Sequence, residues 1–201
     1  MSQLRRLTKM PKMNIACLAW GSLIWNPKDL PIQHHWFNDG PLAPVEFARQ
    51  SHDGRITLVL DENARSVRIL WVLMALPDLE AAMKALSQRE GITASDWKSR
   101  IGNWKAGDPA PKSIPSLPAW SRAHGIDAAI WTALPPQYTK NGESKLTKKR
   151  PPIDWVINYL QGLTGPIKDI AEQYFRCTPP QIDTEYRRRV EAVLGWHYRK
   201  C

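Results

Sequence analysis

Residues 42–60 read LAPVEFARQSHDGRITLVL, and this stretch decides the fold. It contains two runs rich in apolar and β-branched side chains, 42–50 and 56–60, with the pair Asp53-Gly54 between them. An Asp-Gly pair between two such runs predicts a β-hairpin with a type I′ turn, in which both central residues have positive φ. We therefore expect a β-hairpin near the start of the chain.

Three apolar runs outside this hairpin predict further strands, at 14–20, 67–76 and 128–134. The run 67–76 is apolar at successive positions, so we expect a central strand that is covered on both faces. The run 14–20 ends at Gly21-Ser22, a turn signal.

Helical spacing replaces the strand pattern at two places in the chain. Leu79, Met83 and Leu86 predict an amphipathic helix over 77–89, and apolar stripes predict helices in the last 50 or so residues. Strands first, a helix between strands and helices last indicate an α+β fold around a bent, barrel-like mixed sheet with flanking helices. We divide the chain into a core, residues 1–137, and a basic loop with a helical C-terminal extension packed on the core, residues 138–201.

Composition excludes several classes of protein. The chain has 201 residues and is 43% hydrophobic, which suits one domain with an appendage. No run approaches the roughly 18 apolar residues of a membrane span, and the N-terminal stretch resembles neither a secretion nor a lipoprotein signal, so we expect a cytoplasmic protein. Cys17, Cys177 and Cys201 are too few and too scattered for a disulfide framework, and Cys201 is expected to be exposed and incidental.

The formal net charge of +9 raises the possibility of a nucleic-acid partner. The positive charge is concentrated at 145–150 and 187–189. Such runs are most often solvated faces, and we expect that here. The five histidines lack the spacing of paired metal ligands, so no metal site is predicted.

Gly21 and Ser22 are the first candidates for chemistry. Glycine permits a turn in which backbone N–H groups approach a ligand closely. Such groups suit a carboxylate, or the oxyanion that forms when a carbonyl is attacked. The alternative is an ordinary turn that ends a strand.

Glu90 is the second candidate. It lies about three helical turns after Leu79, so it extends the apolar face of the helix if the helix persists that far. Burial and the negative end of the helix dipole would then both oppose its ionisation, as a general base for an ammonium group requires. The alternative is that the helix frays at Gly91 and Glu90 pairs with a nearby cation.

Together these motifs resemble the γ-glutamylcyclotransferases, including the ChaC-like glutathione-specific branch and the AIG2-like proteins. That family has Tyr-Gly-Ser directly after its first strand, and residues 21–23 are similar. It also has a catalytic Glu in a stretch like Glu-Gly-Val after a helix, and residues 90–92 are similar. The resemblance covers about residues 14–134. Trp20 replaces the family's Tyr, which moves the polar group of that side chain.

The resemblance implies intramolecular aminolysis of a γ-glutamyl amide, with release of 5-oxoproline and a free amine. Glu90 would transfer the protons, and neither a metal nor an organic cofactor is implied. Arg49, at the end of the second strand, could hold a substrate carboxylate or form a surface ion pair, and Tyr138 could line the cleft. The candidate substrate-binding residues are then Trp20, Gly21, Ser22, Leu23, Ile24, Arg49 and Tyr138.

Two other hypotheses remain open from the sequence. The chain could be a non-catalytic basic module that binds nucleic acid or protein on the same fold. It could also be a pseudoenzyme in which Trp20 fills the pocket. The expected partner is a small γ-glutamyl compound, and neither its acceptor group nor the oligomeric state follows from the sequence.

Overall fold

Five strands come first and three helices come last along the computed structural model, which describes residues 13–140, Glu143 and 146–201. The strands are β1 (Ile15–Ala19), β2 (Leu42–Gln50), β3 (Ile56–Leu60), β4 (Ser66–Arg68), β5 (Leu70–Leu73), β6 (Ile101–Lys105), β7 (Ala128–Thr132), β8 (Tyr138–Thr139) and β9 (Leu146–Thr147). The helices are α1 (Leu79–Arg89), α2 (Trp97–Arg100), α3 (Leu117–His124), α4 (Ile153–Gln161), α5 (Gly165–Cys177) and α6 (Glu185–Leu194). The α+β class predicted from the sequence is confirmed.

The described strands form three separate sheets. One sheet has the order β5-β1-β7-β6, a second has the order β3-β2-β4, and β8 pairs with β9. Strand β1 runs parallel to β7 and antiparallel to β5. Because β5 and β6 remain the edges of their sheet, the described strands close no barrel, and the expected barrel-like sheet is not present as a closed structure.

The hairpin predicted from residues 42–60 is confirmed, because β2 and β3 pair antiparallel. The predicted turn type is wrong. Five residues, 51–55, connect the strands, and Gly54 alone among them has positive φ, at 84°. Ser51 closes this longer loop by hydrogen bonds of its backbone and hydroxyl to the carbonyl of Arg55.

The run 67–76 is not one central strand. It divides into β4, which pairs with β2, and β5, which pairs with β1 at the edge of the four-stranded sheet. The division falls at Ile69, whose N–H donates to the carbonyl of Pro41. The run is apolar on both faces because it contributes to both sheets.

The two faces of β1 belong to two clusters of the core, because successive side chains of a strand point in opposite directions. Ile15 and Cys17 face a cluster that contains Met83 and Leu86 of α1. Leu18, with Ala16, faces a larger cluster formed by the hairpin and the C-terminal helices. Helix α1 therefore covers one face of the sheet and the hairpin covers the other.

Helix α1 confirms the helix predicted from the apolar spacing. Asp78 caps its start, since its carboxylate accepts a hydrogen bond from the N–H of Ala81 at 2.7 Å. The helix ends at Arg89, Glu90 is its C-cap, and Gly91 follows with a φ of 65°.

The C-terminal helices pack against the hairpin. Phe175 of α5 stacks on Phe47 of β2, with ring centroids 4.0 Å apart. Gly165-Pro166 begins α5, because proline suits the first turn of a helix, where its missing N–H costs nothing. The division of the chain after residue 137 stays a prediction, although both parts contribute to the larger core cluster.

A disulfide joins Cys177 to Cys201, so the expectation that Cys201 is incidental is wrong. The segment after α6 folds back along α5, where the N–H of Arg199 donates to the carbonyl of Arg176. That return brings together two cysteines that the sequence separates by 24 positions. Within the described residues, no helix is long and apolar enough to cross a membrane.

Candidate functional site

A cavity of about 230 Å³ lies where the parallel strands β1 and β7 end. The carboxyl ends of parallel strands are the usual place for a ligand in open sheets, because the chain leaves the sheet there in loops. We call this space the inner cavity. It is lined by residues 18–23, Arg49, Ser51, His52, Arg55, residues 57–59, Glu90, Thr132, Leu134 and Tyr174.

The loop after β1 lines the inner cavity, and three of its backbone N–H groups have no protein acceptor within the described residues. The carbonyls of Gly21 and Ser22 accept hydrogen bonds from Ile24 and Asn26 within the loop, at 3.0 and 2.8 Å. The N–H groups of Gly21, Ser22 and Leu23 donate to no acceptor within the described residues. Adjacent amide donors of this kind in a cavity wall suit a carboxylate or a developing oxyanion.

Leu58 of β3 holds two aromatic side chains in the wall of the cavity. Its carbonyl accepts a hydrogen bond from the indole Nε1 of Trp20 at 3.2 Å, and its N–H donates to the hydroxyl of Tyr174 at 3.2 Å. The polar group of Trp20 is therefore bound to the backbone and the ring lies in the core. Trp20 forms part of the wall and does not fill the cavity.

Tyr174 brings a phenol hydroxyl into the inner cavity from α5. Burial raises the pKa of Tyr174 to about 12, and the nearby charge of Glu90 adds to the shift. The hydroxyl therefore stays protonated near neutral pH. Its oxygen accepts from Leu58, while its proton has no acceptor among the described residues, so it is free to donate to a ligand.

The close approach of the Tyr174 hydroxyl requires a glycine at position 21. The backbone conformation at that position does not. Its φ is not positive, contrary to one reason that the sequence offered for a glycine here. A Cβ at position 21 would instead collide with the hydroxyl of Tyr174. The loop and α5 therefore approach each other more closely than any residue other than glycine at position 21 would permit.

We predict that Gly21→Ala lowers the free energy of unfolding by about 1–3 kcal/mol, the usual cost of overpacking a buried contact. Urea denaturation measures this loss. Adding Tyr174→Phe should recover part of it, because the colliding oxygen is then absent. Gly162→Ala is the matched control, since its φ is −77° and its Cβ would have no neighbour closer than 3.5 Å. An equal loss at both glycines would contradict the collision.

Glu90 and Arg89 connect the two sequence motifs. Arg89 Nη1 donates to Glu90 Oε1 at 2.7 Å, and Arg89 Nη2 donates to the carbonyl of Asn26 at 2.6 Å and lies 3.4 Å from Ser22 Oγ. The Arg89 side chain is 7% exposed and that of Glu90 is 19% exposed. Glu90 therefore forms an ion pair with a nearby cation, which was one of the two alternatives that the sequence left open. Because Arg89 also contacts the loop that contains Gly21, the pair holds the carboxylate of Glu90 beside that loop.

A second space, of about 650 Å³, adjoins the inner cavity. We call it the outer basin. It is lined by Ser22, Trp25, Asn26, Lys28, Asp53, Arg55, Arg89, Glu90, Ile170, Gln173, Tyr174 and Cys201. Four residues line both spaces, namely Ser22, Arg55, Glu90 and Tyr174. The carboxylate of Glu90 therefore lies at the junction of the two spaces.

Arg49 lines the inner cavity, and no ion pair to it occurs within the described residues. Its guanidinium donates to the carbonyl of Pro135 at 2.8 Å, and burial lowers its pKa below the ordinary value.

Two predicted binding residues lie elsewhere. Ile24 is half-buried against both core clusters, and Tyr138 is buried in β8 with its ring 4.8 Å from that of Trp155.

Sequence reasoning missed several polar residues that line the two spaces, among them Arg55, Thr57 and Tyr174. Arg55 pairs with Asp53 at 2.8 Å and lies over the ring of Tyr174, with its guanidinium carbon 5.3 Å from the ring centroid. Arg55 and Thr57 stand on alternate positions after the hairpin turn, next to Arg49 across the hairpin, and that pattern could have indicated them. No local signal points to Tyr174.

Neither a nucleophilic cysteine nor a metal cluster is found in the described part of the chain. Burial, with the charge of Glu90, raises the pKa of the Cys17 thiol far above its ordinary value, so it stays protonated and unreactive. No three His, Cys, Asp or Glu side chains lie close enough to hold a metal ion, within the same described residues.

No family model, no curated protein and no solved structure matches this chain. Fold and site define an α+β protein with a two-part pocket, lined in part by a partly buried ion pair.

Proposed function

We propose that this chain is an enzyme of the γ-glutamylcyclotransferase type with the fold of that family. It cleaves a γ-glutamyl amide by intramolecular aminolysis and releases 5-oxoproline and a free amine. The observation that carries the proposal is the carboxylate of Glu90 at the junction of two spaces, beside three amide donors without protein acceptors.

In the proposed reaction, the glutamyl half of the substrate occupies the inner cavity. Glu90 removes a proton from the α-ammonium group, and the amine formed attacks the γ-carbonyl carbon. The negative charge that develops on the carbonyl oxygen is stabilised by the N–H groups of residues 21–23 and by the hydroxyl of Tyr174. The bond to the departing amine then breaks as Glu90 returns this proton to it. The ring nitrogen, which gained a positive charge on attack, loses a second proton to the freed carboxylate of Glu90, and Glu90 passes that proton to the released amine, so that a neutral lactam N–H and an ammonium ion remain.

The protein supplies mainly orientation and proton transfer in this scheme, because nucleophile and electrophile belong to one substrate. Arg89 holds one oxygen of Glu90, which leaves Oε2 for the substrate. Arg49 and Arg55 are the cations in the inner cavity that would bind the α-carboxylate of the glutamyl group.

A product assay tests the proposal directly. The purified protein is incubated with γ-glutamyl-alanine, glutathione and γ-glutamyl-ethylamide, and 5-oxoproline is measured by mass spectrometry. We expect 5-oxoproline from at least one compound at a rate well above that without protein. Absence of the product from all three would refute the proposed reaction for small γ-glutamyl amides.

The contacts of the arginines argue against the alternative, a basic module that binds nucleic acid. Arg187 is 3% exposed and pairs with Glu191, and Arg188 pairs with Asp183. The run 187–189 was expected to be a solvated face, and the burial of Arg187 contradicts this at one of its positions. Arg150 is also bound within the protein, and Lys145 lies outside the described residues.

The cytoplasmic localisation expected from the sequence stays part of the proposal. The disulfide between Cys177 and Cys201 is the one observation against it, because reducing compartments keep most thiols free. A thiol-specific mass label on protein taken from cells would measure which state the pair adopts there.

We predict that Tyr174→Phe lowers kcat/KM for a γ-glutamyl substrate roughly ten- to hundredfold, with most of the loss in kcat, because a donor to the developing oxyanion is removed. The ring keeps its contacts with Trp25 and Phe47. The N–H of Leu58 loses its acceptor, which lowers the free energy of unfolding by about 1–2 kcal/mol. Steady-state kinetics and urea denaturation measure the two effects.

Tyr198→Phe is the control, since Tyr198 is 44% exposed and lines neither space. It should change neither kinetics nor stability. If Tyr174→Phe lowered stability alone and left kcat unchanged, Tyr174 would be a packing residue and its role as a donor would be rejected.

A further inference from the structure

One half of the disulfide between Cys177 and Cys201 lies in the wall of the outer basin. Cys201 lines the basin and is exposed, whereas Cys177, at the end of α5, is 4% exposed. Tyr174, about one helical turn before Cys177, lines the same basin. A molecule in the basin can therefore reach Cys201, while Cys177 is shielded from it.

Residues 197–201 depend on this disulfide for their position. Trp196, just before them, packs in the larger core cluster and is 4% exposed, but every residue from 197 to 201 is exposed. Within the described residues, two hydrogen bonds join this segment to α5. Arg176 Nη1 donates to the carbonyl of His197 at 3.1 Å, and the carbonyl of Arg176 accepts from the N–H of Arg199 at 2.8 Å. Hydrogen bonds at the surface contribute little net free energy, so the disulfide supplies most of the attachment.

The cytoplasmic compartment proposed above favours a disulfide that opens and closes. Disulfides in reducing compartments are usually transient and serve redox sensing or catalysis. Exposed disulfides are also the ones that thiols reduce most readily, because the attacking thiolate must reach a sulfur atom. The exposure of Cys201 and the burial of Cys177 therefore point to exchange at Cys201.

We propose that this disulfide is a thiol-exchange site, at which a small thiol that enters the outer basin forms a mixed disulfide with Cys201. The thiolate of the incoming molecule attacks Sγ of Cys201, the bond between the two protein sulfurs breaks, and Cys177 leaves as a thiolate that takes a proton from water. A second small thiol then attacks the mixed disulfide and releases Cys201 as a thiol. The protein disulfide is reduced to two thiols, and the two small thiols are oxidised to their own disulfide.

Exchange opens the outer basin on one side. Once the bond to Cys177 is broken, the hydrogen bonds to Arg176 alone hold residues 197–201, so this segment leaves α5 and the basin loses the wall that Cys201 forms. Glu90 and Tyr174 are held elsewhere, by Arg89 and by Leu58. The exchange therefore widens access to the basin and leaves the site itself in place.

Peptide mass spectrometry locates the sulfur that exchanges. The oxidised protein is treated with mercaptoethanol under native conditions, acid stops the reaction, and the free thiols are alkylated after unfolding. Chymotrypsin, which cuts after Tyr198, separates Cys177 from Cys201. We expect mercaptoethanol on Cys201 with Cys177 alkylated, in roughly tenfold excess over the opposite arrangement. A mixed disulfide mainly on Cys177, or none in the folded protein, would overturn the proposal.

Cys17 shows whether the exchange is a property of the folded protein. It is fully buried, so iodoacetamide under native conditions should not label it, either before or after reduction. Cys201 should be labelled after reduction only. Labelling of Cys17 together with Cys201 would mean that thiols act on the unfolded chain, and the exchange site would be rejected.

Hydrogen exchange measures the release of the segment. In the oxidised protein the N–H of Arg199 is protected by its bond to Arg176. We expect it to exchange at least roughly tenfold faster after reduction with a phosphine, and equally fast in Cys201→Ser without any reductant. The N–H of Glu90, which donates to the carbonyl of Leu86 at 3.0 Å, is the control and should not change. Unchanged exchange at Arg199 in both samples would show that the segment stays on α5 without the disulfide, and the opening of the basin would be wrong.

Discussion

Glu90→Gln should abolish most turnover of a γ-glutamyl substrate and leave the fold intact. Glutamine keeps the size of the side chain, and its carbonyl oxygen can still accept the hydrogen bond from Arg89 Nη1 that Glu90 accepts at 2.7 Å. It cannot take up a proton from the α-ammonium group. We expect kcat to fall by about 10²–10⁴-fold, the usual contribution of a general base, with KM nearly unchanged. Formation of 5-oxoproline under saturating substrate measures the change.

Glu80→Gln is the matched control for this variant. Glu80 lies on the same helix, its side chain is 62% exposed and it pairs only with Lys84, within the described residues. The control should be as active as the wild type. Wild-type activity in Glu90→Gln would show that another group moves the proton.

The parts of the fold that were predicted correctly are those with a local pattern. The hairpin was predicted from two runs and the Asp-Gly pair between them, and α1 was predicted from Leu79, Met83 and Leu86. In both cases the apolar residues that form the sequence pattern are also residues that pack in the hydrophobic core. The loop at Gly21 and the end of α1 were predicted as neighbours through a family resemblance, and Arg89 connects them in the structure.

The parts that sequence reasoning missed depend on contacts between distant segments. Tyr174 reaches the site through a hydrogen bond to Leu58, 116 positions earlier, and nothing near Tyr174 in the sequence indicates this. The disulfide depends on the return of the chain after α6. The predicted type of the turn after β2 was wrong, because an Asp-Gly pair permits a type I′ turn without requiring one. Ser51 instead stabilises a longer loop.

The basic segment near residue 150 is a further place where contacts between distant segments could not be predicted from the sequence. One of its cations, Arg150, forms ion pairs with buried carboxylates. Arg150 lies 3.7 Å from Glu46 and 3.4 Å from Asp61, and its Nε donates to the hydroxyl of Tyr186 at 2.9 Å. The two carboxylates are 1% and 4% exposed. Lys149, one position earlier, is exposed and has no ion pair within the described residues. Adjacent cations in one run therefore have different roles.

We predict that Arg150→Met lowers the free energy of unfolding by roughly 2–4 kcal/mol. Methionine retains much of the apolar length, but Glu46 and Asp61 are left buried without their cation, and an uncompensated buried charge is strongly destabilising. The partial exposure of Arg150, at 21%, places the expected loss below that of a fully buried pair. Urea denaturation measures the loss, and Lys149→Met, the control, should lie within about 0.5 kcal/mol of the wild type.

The pH dependence of this loss identifies its cause. Burial holds the pKa of Glu46 above its ordinary value, and the charge of Arg150 is among the contacts that lower it, so Arg150→Met raises this pKa further. A carboxyl group whose pKa is higher in the folded state than in the unfolded state contributes less stability as the pH rises through the folded value. The deficit of Arg150→Met should therefore be larger at about pH 8 than at about pH 5. A deficit independent of pH would mean that Arg150 acts by packing against the ring of Tyr186, whose centroid lies 4.4 Å from its guanidinium carbon.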